Sequence, residues 1–461
     1  MPELPEVETV KRILEPIIQG ETIRSIDIYR EKNILNGKDK FLQSLLGETF
    51  LGVSRRGKYL IFHLTHKKAI IAHLRMEGKY EEGRESEPPH KHDILRYVFV
   101  SGKTLRYNDV RTFGTIEFRL EKDLYSLPPL SRLGKEPFDI TPIELFEKLQ
   151  KKNCPIKEAI MDQSVIAGIG NIYADEILFA SFLYPLKKAN TVTKKEAKSI
   201  VDSSTRILSL AIQEGGSTIR SYHPKEGMNG NMQNELFVYG KKGKPCPRCL
   251  FPLRKIVVGG RGTTYCPNCQ RGDKPIVIGV TGPIASGKSE VAHYLESKGY
   301  SHLDADAIVT ALYQKPSVLK RIQTIFGDYA VKNGILDRVY LRESINESPE
   351  KKANLEHFIW PLVYRKIEQD IQKTQCNRIL LDVPFLIDSP LEKECDAIIY
   401  IEADPSIQRK RIIARGKDPI SSLKMNASFP REKAKSKANI ILDGNGTKED
   451  LRKQIDHYSF L

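Results

Sequence analysis

Four cysteines in the order Cys246-x2-Cys249-x16-Cys266-x2-Cys269 constrain the middle of this 461-residue chain more tightly than any other feature. Two short knuckles, each turning a pair of sulfurs toward one point, fit tetrahedral coordination of a zinc ion by four thiolates. Four protein ligands leave no open coordination position, so the metal is expected to be structural rather than catalytic. Cys154, Cys376 and Cys395 stand alone, and an odd total of seven argues against a disulfide framework. The quartet also divides the chain. Only residues 270–275 separate it from a new apolar run, Ile276–Val280, and the sequence changes character across that point.

On the N-terminal side, Val7, Val10, Ile13, Leu14, Ile17 and Ile18 recur at helical spacing, with Gly20 as a stop. Short β-like runs follow at Thr22–Tyr29, Tyr59–Leu64, Ala69–Leu74, Leu95–Val100 and Thr115–Leu120. They predict a β-sandwich of meandering strands, with the charged, proline-bearing stretch Glu81–Asp93 as an exposed loop. From Pro142 to Gly215 the pattern turns helical, and Ala167-Gly168-Ile169-Gly170-Asn171 separates two helices by a glycine turn. Beyond the cysteines, strand candidates Ile276–Val280, Tyr300–Leu303, Arg378–Val383, Ala397–Ile401 and Asn439–Leu442 alternate with helical stretches, which predicts a parallel α/β sheet. The expected division is a β-sandwich with an N-terminal helix over residues 1–135, a helical domain over 136–235, the cysteine segment over 236–273 and an α/β domain over 274–461.

Apolar residues make up 40% and charged residues 28%, a composition that excludes a disordered chain, and no apolar run approaches the ~20 residues needed to span a bilayer. The start, Met-Pro-Glu-Leu-Pro-Glu, is unlike a secretory signal, so a cytoplasmic protein is expected. The net charge of +15 is uneven: residues 1–273 carry 44 Lys and Arg against 33 Asp and Glu, the remainder 29 against 25. A polyanion such as DNA is the natural partner of the first part.

Pro2 follows the initiator Met, and its freed secondary amine could attack a sugar C1′ and pass directly to an iminium. Glu3 beside it could move protons. Read alone, the same residues make an ordinary helix start. Met1–Thr9, Arg56-Gly57-Lys58-Tyr59-Leu60 and the motifs below together resemble the formamidopyrimidine-DNA glycosylase family over essentially all of residues 1–271. The resemblance implies excision of 8-oxoguanine and ring-opened purines from duplex DNA, followed by β,δ-elimination, by a β-sandwich joined to a helix–two-turn–helix domain and a zinc ribbon. It makes Pro2 the nucleophile, Glu3 the acid/base and Lys58 a proton donor on a β-hairpin. A target base must leave the helix stack, and the gap must be filled. Met76, Arg111 and Phe113 match the family's void-filling trio. His73, Lys157, Asn171 and Tyr222 match DNA-contacting positions, Tyr222 in the stretch 215–222 that closes over the flipped base, and Arg261 grips the phosphates flanking the lesion. The glycine turn, with backbone N–H groups at a helix start, suits a phosphate, whereas Tyr173 reads as packing.

Gly282-Pro283-Ile284-Ala285-Ser286-Gly287-Lys288-Ser289 fits G-x4-G-K-[ST] between an apolar strand and a helical run. Backbone N–H groups there cradle nucleotide phosphates, Lys288 neutralises them and Ser289 holds magnesium, which implies ATP and Mg2+ as cofactors. Beyond the loop, residues 276–461 resemble dephospho-CoA kinase, carried by Leu303-Asp304-Ala305-Asp306, Gly334-Ile335-Leu336-Asp337-Arg338, Asp382-Val383-Pro384-Phe385-Leu386 and Gln408-x2-Arg411-x3-Arg415. The resemblance implies a P-loop kinase domain that phosphorylates the 3′-hydroxyl of dephospho-CoA. One of Asp304 and Asp306 would accept the hydroxyl proton or position magnesium, and Arg411 and Arg415 would reach the transferring phosphoryl group. The chain departs from that family's pattern at Pro283 and Ala285, where glycines are usual, at Thr310 and Trp360, and at Gly444, where Asn445 lies one residue late. The leading expectation is a monomeric fusion of two enzymes. A glycosylase with a C-terminal nucleotide-binding or structural module lacking turnover, and a DNA-binding protein without chemistry, remain as alternatives.

Overall fold

The computed structural model describes residues 1–217, 231–272, 274–383, 385–416, 420 and 426–458. They form two compact units, one of Met1–Lys242 with Lys255–Tyr265, the other of Gly243–Arg254 with Cys266–Leu461. No helix among the described residues is long and apolar enough to cross a membrane.

In the first unit, helix α1 (Leu4–Ile18) buries Leu4, Val7, Val10, Leu14 and Ile18 on one stripe, as the spacing predicts. It is followed by two four-stranded antiparallel sheets. One has the order β1 (Ile23–Ile28), β6 (Asp93–Phe99), β7 (Lys103–Asn108), β5 (Lys79–Arg84). The other has the order β2 (Phe50–Arg56), β3 (Tyr59–Leu64), β4 (Lys68–His73), β8 (Thr115–Leu120). Their inner faces share one apolar core, in which the Phe50 ring makes edge contacts with Phe62, Tyr97 and Phe99 at 5.8–5.9 Å. The sandwich is thus present, but three of its strands, β2, β5 and β7, fall outside the expected runs. Lys79–Arg84 in particular lies partly inside the expected loop, yet it pairs residue for residue with β7, from Lys79 opposite Asn108 to Arg84 opposite Lys103. Tyr80 is its one buried side chain, and Glu82 and Arg84, two and four residues on and so on the same face, are exposed.

The helical part packs α3 (Pro142–Gln150), α4 (Ile156–Met161), α5 (Asn171–Ala180) and α6 (Lys194–Gln213) around a second core. Thr141 and Thr193 each cap a helix, accepting from the N–H three residues on. Tyr222 lies outside the described residues. A hairpin of β9 (Arg254–Val258) and β10 (Arg261–Tyr265) turns at Gly259-Gly260.

The second unit holds a five-stranded parallel sheet in the order β12 (Ser301–Asp304), β15 (Arg378–Asp382), β11 (Ile276–Thr281), β16 (Ala397–Glu402), β17 (Ile440–Asp443). All five predicted strands are in it. Helices α9 (Ala305–Leu312), α10 (Pro316–Phe326), α11 (Arg338–Glu347) and α12 (Pro349–Lys373) contribute to its core, α8 (Lys288–Ser297) packs against β11, β12 and β15, and α13 (Pro405–Ala414) follows β16.

Phe50→Ala removes the ring on which both sheets converge. It is expected to lower stability by about 3–5 kcal/mol, measured as a shift of the denaturant midpoint at unchanged slope.

Candidate functional site

Glu3 precedes α1 and is buried, yet its carboxylate is fully engaged. Oε2 accepts from the N–H of Gly170 at 2.7 Å and of Tyr173 at 3.3 Å, and Oε1 accepts from Ile172 at 2.8 Å. These are the free N–H groups at the start of α5, the positive end of the helix. The glycine turn therefore does bind an anion, but among the described groups that anion is Glu3. A Cβ at Gly170 would run into the Glu3 carboxyl carbon, so only glycine admits this approach. Burial raises the Glu3 pKa above its ordinary value, against the pull of Lys58, while Glu6 pushes the same way as burial. Glu6 itself accepts from the Glu3 N–H at 2.8 Å, from the Tyr173 hydroxyl at 2.7 Å and from the Ser217 N–H at 2.8 Å. Tyr173 is thus a buried donor as well as a packed ring. Beyond its local bond to the Glu3 N–H, Glu6 carries no motif signal, because its other partners lie 167 and 211 residues away.

Lys58 stands at the tip of the β2–β3 hairpin. Glu136 fixes that hairpin by accepting both Arg55 guanidinium nitrogens at 2.8 and 2.9 Å and the Gly57 N–H at 2.6 Å. The Lys58 ammonium is buried and donates to the Ile169 carbonyl at 2.8 Å. Burial lowers its pKa, Glu3 and Glu6 oppose, and Arg261 adds to the lowering. Lys58, Glu3 and Arg261 therefore share one electrostatic neighbourhood. His73 packs edge-on against Tyr59 at 4.6 Å and accepts from the Arg75 N–H at 3.0 Å. Burial, Arg75 and Lys58 depress its pKa to about 3, so the ring is neutral at physiological pH.

Met76, Arg111 and Phe113 come together on the surface. The Arg111 guanidinium meets the Met76 sulfur at 3.0 Å and lies 5.1 Å from the Phe113 ring centre, while Met76 and Phe113 are 38% and 54% exposed. Buried Asp109 shapes the loop by accepting from the N–H groups of Arg111, Phe113 and Gly114. Arg75 and Thr112, beside the trio, both adopt positive φ, 54° and 55°. Lys157 lies elsewhere, 1% exposed, its ammonium bonded to Asp175 and Thr263 at 2.7 Å and to the Gly262 carbonyl at 3.3 Å. Asp175 also accepts from the Thr264 N–H, and Asn171 donates to the Gly262 carbonyl. Together these bonds seat the hairpin that presents exposed Arg261.

The four cysteine sulfurs lie within 4.8 Å of one another, with Cys246 to Cys269 at 3.9 Å and Cys249 to Cys266 at 3.5 Å. Tetrahedral zinc with thiolates at about 2.3 Å spaces sulfurs roughly 3.8 Å apart, so the set fits one structural zinc.

In the second unit the phosphate loop joins β11 to α8. Gly282 has φ 154°, and a Cβ there would lie 2.6 Å from the Ile401 carbonyl oxygen. Lys288 donates to the carbonyls of Gly282 and Pro283 at 2.6 and 3.3 Å. The hydroxyls of Ser286 and Thr281 are buried without a partner among the described residues, polar atoms suited to a phosphate-bearing ligand. Asp304 and Asp382 end neighbouring strands directly opposite each other. Burial raises the Asp382 pKa, Lys288 opposes, and Asp304 and Asp306 push it further up. Asp304 spends one oxygen capping α9, accepting from the Asp306 N–H at 2.8 Å. Hard carboxylate oxygens, with Asp382 and Asp306 close enough to Lys288 to act on its pKa, fit Mg2+ accompanying a nucleotide. Asp382 was not singled out by its motif; strand register reveals it. Arg411 donates to the carbonyls of Ala285, Ser286 and Gly446, and Arg415, exposed at the end of α13, contributes to lowering the Lys288 pKa.

The formamidopyrimidine-DNA glycosylase N-terminal domain matches residues 1–116, and the formamidopyrimidine-DNA glycosylase H2TH domain matches residues 133–223. A formamidopyrimidine-DNA glycosylase of Exiguobacterium sp. is 44% identical over 276 residues, 59% of this chain and 100% of the relative. The chain belongs to the formamidopyrimidine-DNA glycosylase family. The glycosylase of Streptococcus mutans is 46% identical over 275 residues, with the same coverage. Similar solved structures include Lactococcus lactis Fpg with abasic-site DNA and a variant of it with Fapy-dG DNA. Each is 42% identical, has a TM-score of 0.56 and covers 59% of this chain and 100% of that one. The zinc finger found in FPG and IleRS matches residues 243–272. Dephospho-CoA kinase matches residues 276–450, beyond the full length of these glycosylase relatives.

Two outcomes are expected in this glycosylase–kinase chain. Purified protein carries one zinc per chain by elemental analysis, and Cys266→Ser loses it. Ala285 sits at φ 65°, a conformation that costs an L-residue about 1–2 kcal/mol; Ala285→Gly therefore stabilises the second unit by up to about 1 kcal/mol after glycine's entropy cost, read as a higher thermal midpoint.

Proposed function

We propose that the chain is a bifunctional enzyme. It is a DNA glycosylase and abasic-site lyase for oxidised purines, 8-oxoguanine and formamidopyrimidines, joined to an ATP-dependent dephospho-CoA kinase. The observation that carries the first activity is the burial of Glu3 and Lys58 in one electrostatic neighbourhood beside Pro2, each shifted toward its neutral form. Removal of Met1 leaves Pro2 as a secondary amine. Its attack on C1′ forms a carbon–nitrogen bond as the bond to the base breaks. The sugar ring oxygen then leaves C1′ with a proton, giving an iminium that acidifies C2′ for successive loss of the 3′ and 5′ phosphates. Glu3 shuttles protons at the opening sugar, and Lys58 supplies one from its hairpin. Met76, Arg111 and Phe113 fill the gap left by the flipped nucleotide, and Arg261 holds phosphate. His73, Lys157, Asn171 and Tyr222 are carried over as DNA-contacting positions; in the structure Lys157 and Asn171 support the Arg261 hairpin.

For the kinase, the phosphate loop Gly282–Ser289 and the acids at the ends of β12 and β15 support the reading. Gly282, Ala285, Ser286, Gly287 and Lys288 would hold the ATP phosphates, and Ser289 with one acid would hold Mg2+. Asp304 or Asp306 would take the acceptor hydroxyl's proton, with Arg411 and Arg415 near the loop. A module without turnover is favoured by one observation, the strained Ala285 in place of a glycine. We expect the enzyme to work as a monomer in the cytoplasm.

Borohydride trapping on 8-oxoguanine duplex DNA is expected to give a covalent adduct that Pro2→Gly abolishes; a wild-type yield from that variant overturns the mechanism. The pH profile of trapping is expected to be a bell. Glu3 titrates above its ordinary 4.5 and Lys58 below its ordinary 10.5, so the limbs are drawn inward from both values, and Lys58→Gln removes the alkaline limb. ADP release is expected to depend on dephospho-CoA and to fall at least ~100-fold in Lys288→Ala, the loss of one preorganised charge contact.

A further inference from the structure

We infer that Asn426 is a positioning residue that, with Arg411, holds the phosphate loop in its nucleotide-binding shape around the left-handed Ala285. A backbone strained in this way persists only where the surroundings over-determine it. Here the surroundings do so bond by bond. The Ile284 N–H donates to Asn426 Oδ1 at 2.7 Å, and Asn426 Nδ2 donates back to the Ile284 carbonyl at 3.1 Å. The next two carbonyls, of Ala285 and Ser286, accept from one Arg411 nitrogen at 3.3 and 3.4 Å, and its other nitrogen is held by the Gly446 carbonyl at 2.9 Å. Every residue from Ile284 to Ser286 is thus gripped from outside the loop, on both sides of the strained position.

The orientation of the Asn426 amide is imposed rather than chosen. Asn426 is 4% exposed and Gln408 fully buried. Gln408 Nε2 donates to the Ala403 carbonyl, which turns its Oε1 toward Asn426. That oxygen accepts from Asn426 Nδ2 at 2.6 Å, leaving Asn426 Oδ1 to accept from the Ile284 N–H. The relay runs from α13 to the loop. An aspartate could still accept from Ile284 but would set an oxygen against both the Ile284 carbonyl and Gln408 Oε1. An alanine would make none of the bonds. Glycine in place of Ala285 would remove the strain that makes the clamp necessary.

This inference rests on the nucleotide-binding reading of the loop, and two measurements on the full chain separate them. The first is calorimetric titration with ADP and Mg2+. Asn426→Ala and Asn426→Asp are expected to weaken binding about tenfold, equivalent to about 1.4 kcal/mol. Ala285→Gly added to Asn426→Ala is expected to restore affinity to within threefold, which a variant that merely misfolds would not do. The second is hydrogen exchange of the Ile284–Ser289 amides without nucleotide, expected at least tenfold faster in Asn426→Ala. Unchanged affinity and exchange in Asn426→Ala, or no rescue by Ala285→Gly, overturns the clamp. Faster exchange in a chain that binds no ADP overturns the nucleotide reading and leaves the clamp standing.

Discussion

The carboxylate of Glu3 at the start of α5 is the interaction on which the first unit turns. It joins the beginning of the chain to a helix some 170 residues later, and it does so through three backbone N–H groups, which no side-chain substitution on α5 could replace. The bond determines where α1 begins and hence where Pro2 stands. It needs glycine at position 170, and it makes a buried acid tolerable because the helix end and Lys58 both favour its charge. Lys58 in turn depends on the hairpin that Arg55 and Glu136 anchor. An acid raised and a lysine lowered, each by burial, are brought closer together in pKa than in water.

The second unit uses a helix start differently. At α8 the N–H groups follow a glycine-flanked loop, and no acidic side chain of the described residues is bonded to that loop's N–H groups as Glu3 is at α5. The acids gather opposite, at the ends of β12 and β15, where strand register alone places Asp304 against Asp382. One unit satisfies a helix end internally, with a buried carboxylate. In the proposed kinase reading the other would present its helix end to the phosphates of a bound nucleotide.

Much of this was legible in the sequence where a local pattern carries the physics. The cysteine spacing, the phosphate loop and the five apolar strands of the parallel sheet are short-range signals, and each is where it was expected. β5 and β7 were not legible, because the charges of Lys79, Glu81, Glu82 and Arg84 mask a strand that pairs along its length with β7, and fully buried Arg106 looks like a surface residue in any window. The glycine turn reads as a phosphate site, whereas the N–H groups of Gly170, Ile172 and Tyr173 hold the Glu3 carboxylate, a partner 167 to 170 residues away that no local pattern reveals. Glu136 and Asn426 were invisible for the same reason, since they bond to backbone far along the chain, and Asp109 because it bonds to the N–H groups of its own loop. A backbone N–H has no letter.

The Met76, Arg111 and Phe113 cluster has a consequence for association. These side chains already touch one another in the free protein, on backbone held at positive φ at Arg75 and Thr112. On the proposed wedge role, their rotamer freedom would be surrendered when the loop folds, not when a duplex arrives. Immobilising one such side chain on binding costs about 0.5–1.5 kcal/mol. Three held in advance would then spare the encounter complex roughly 1.5–4.5 kcal/mol, one to three decades in affinity. In that reading the exposed apolar surface that looks like a liability in isolation would let a brief collision become a wedge.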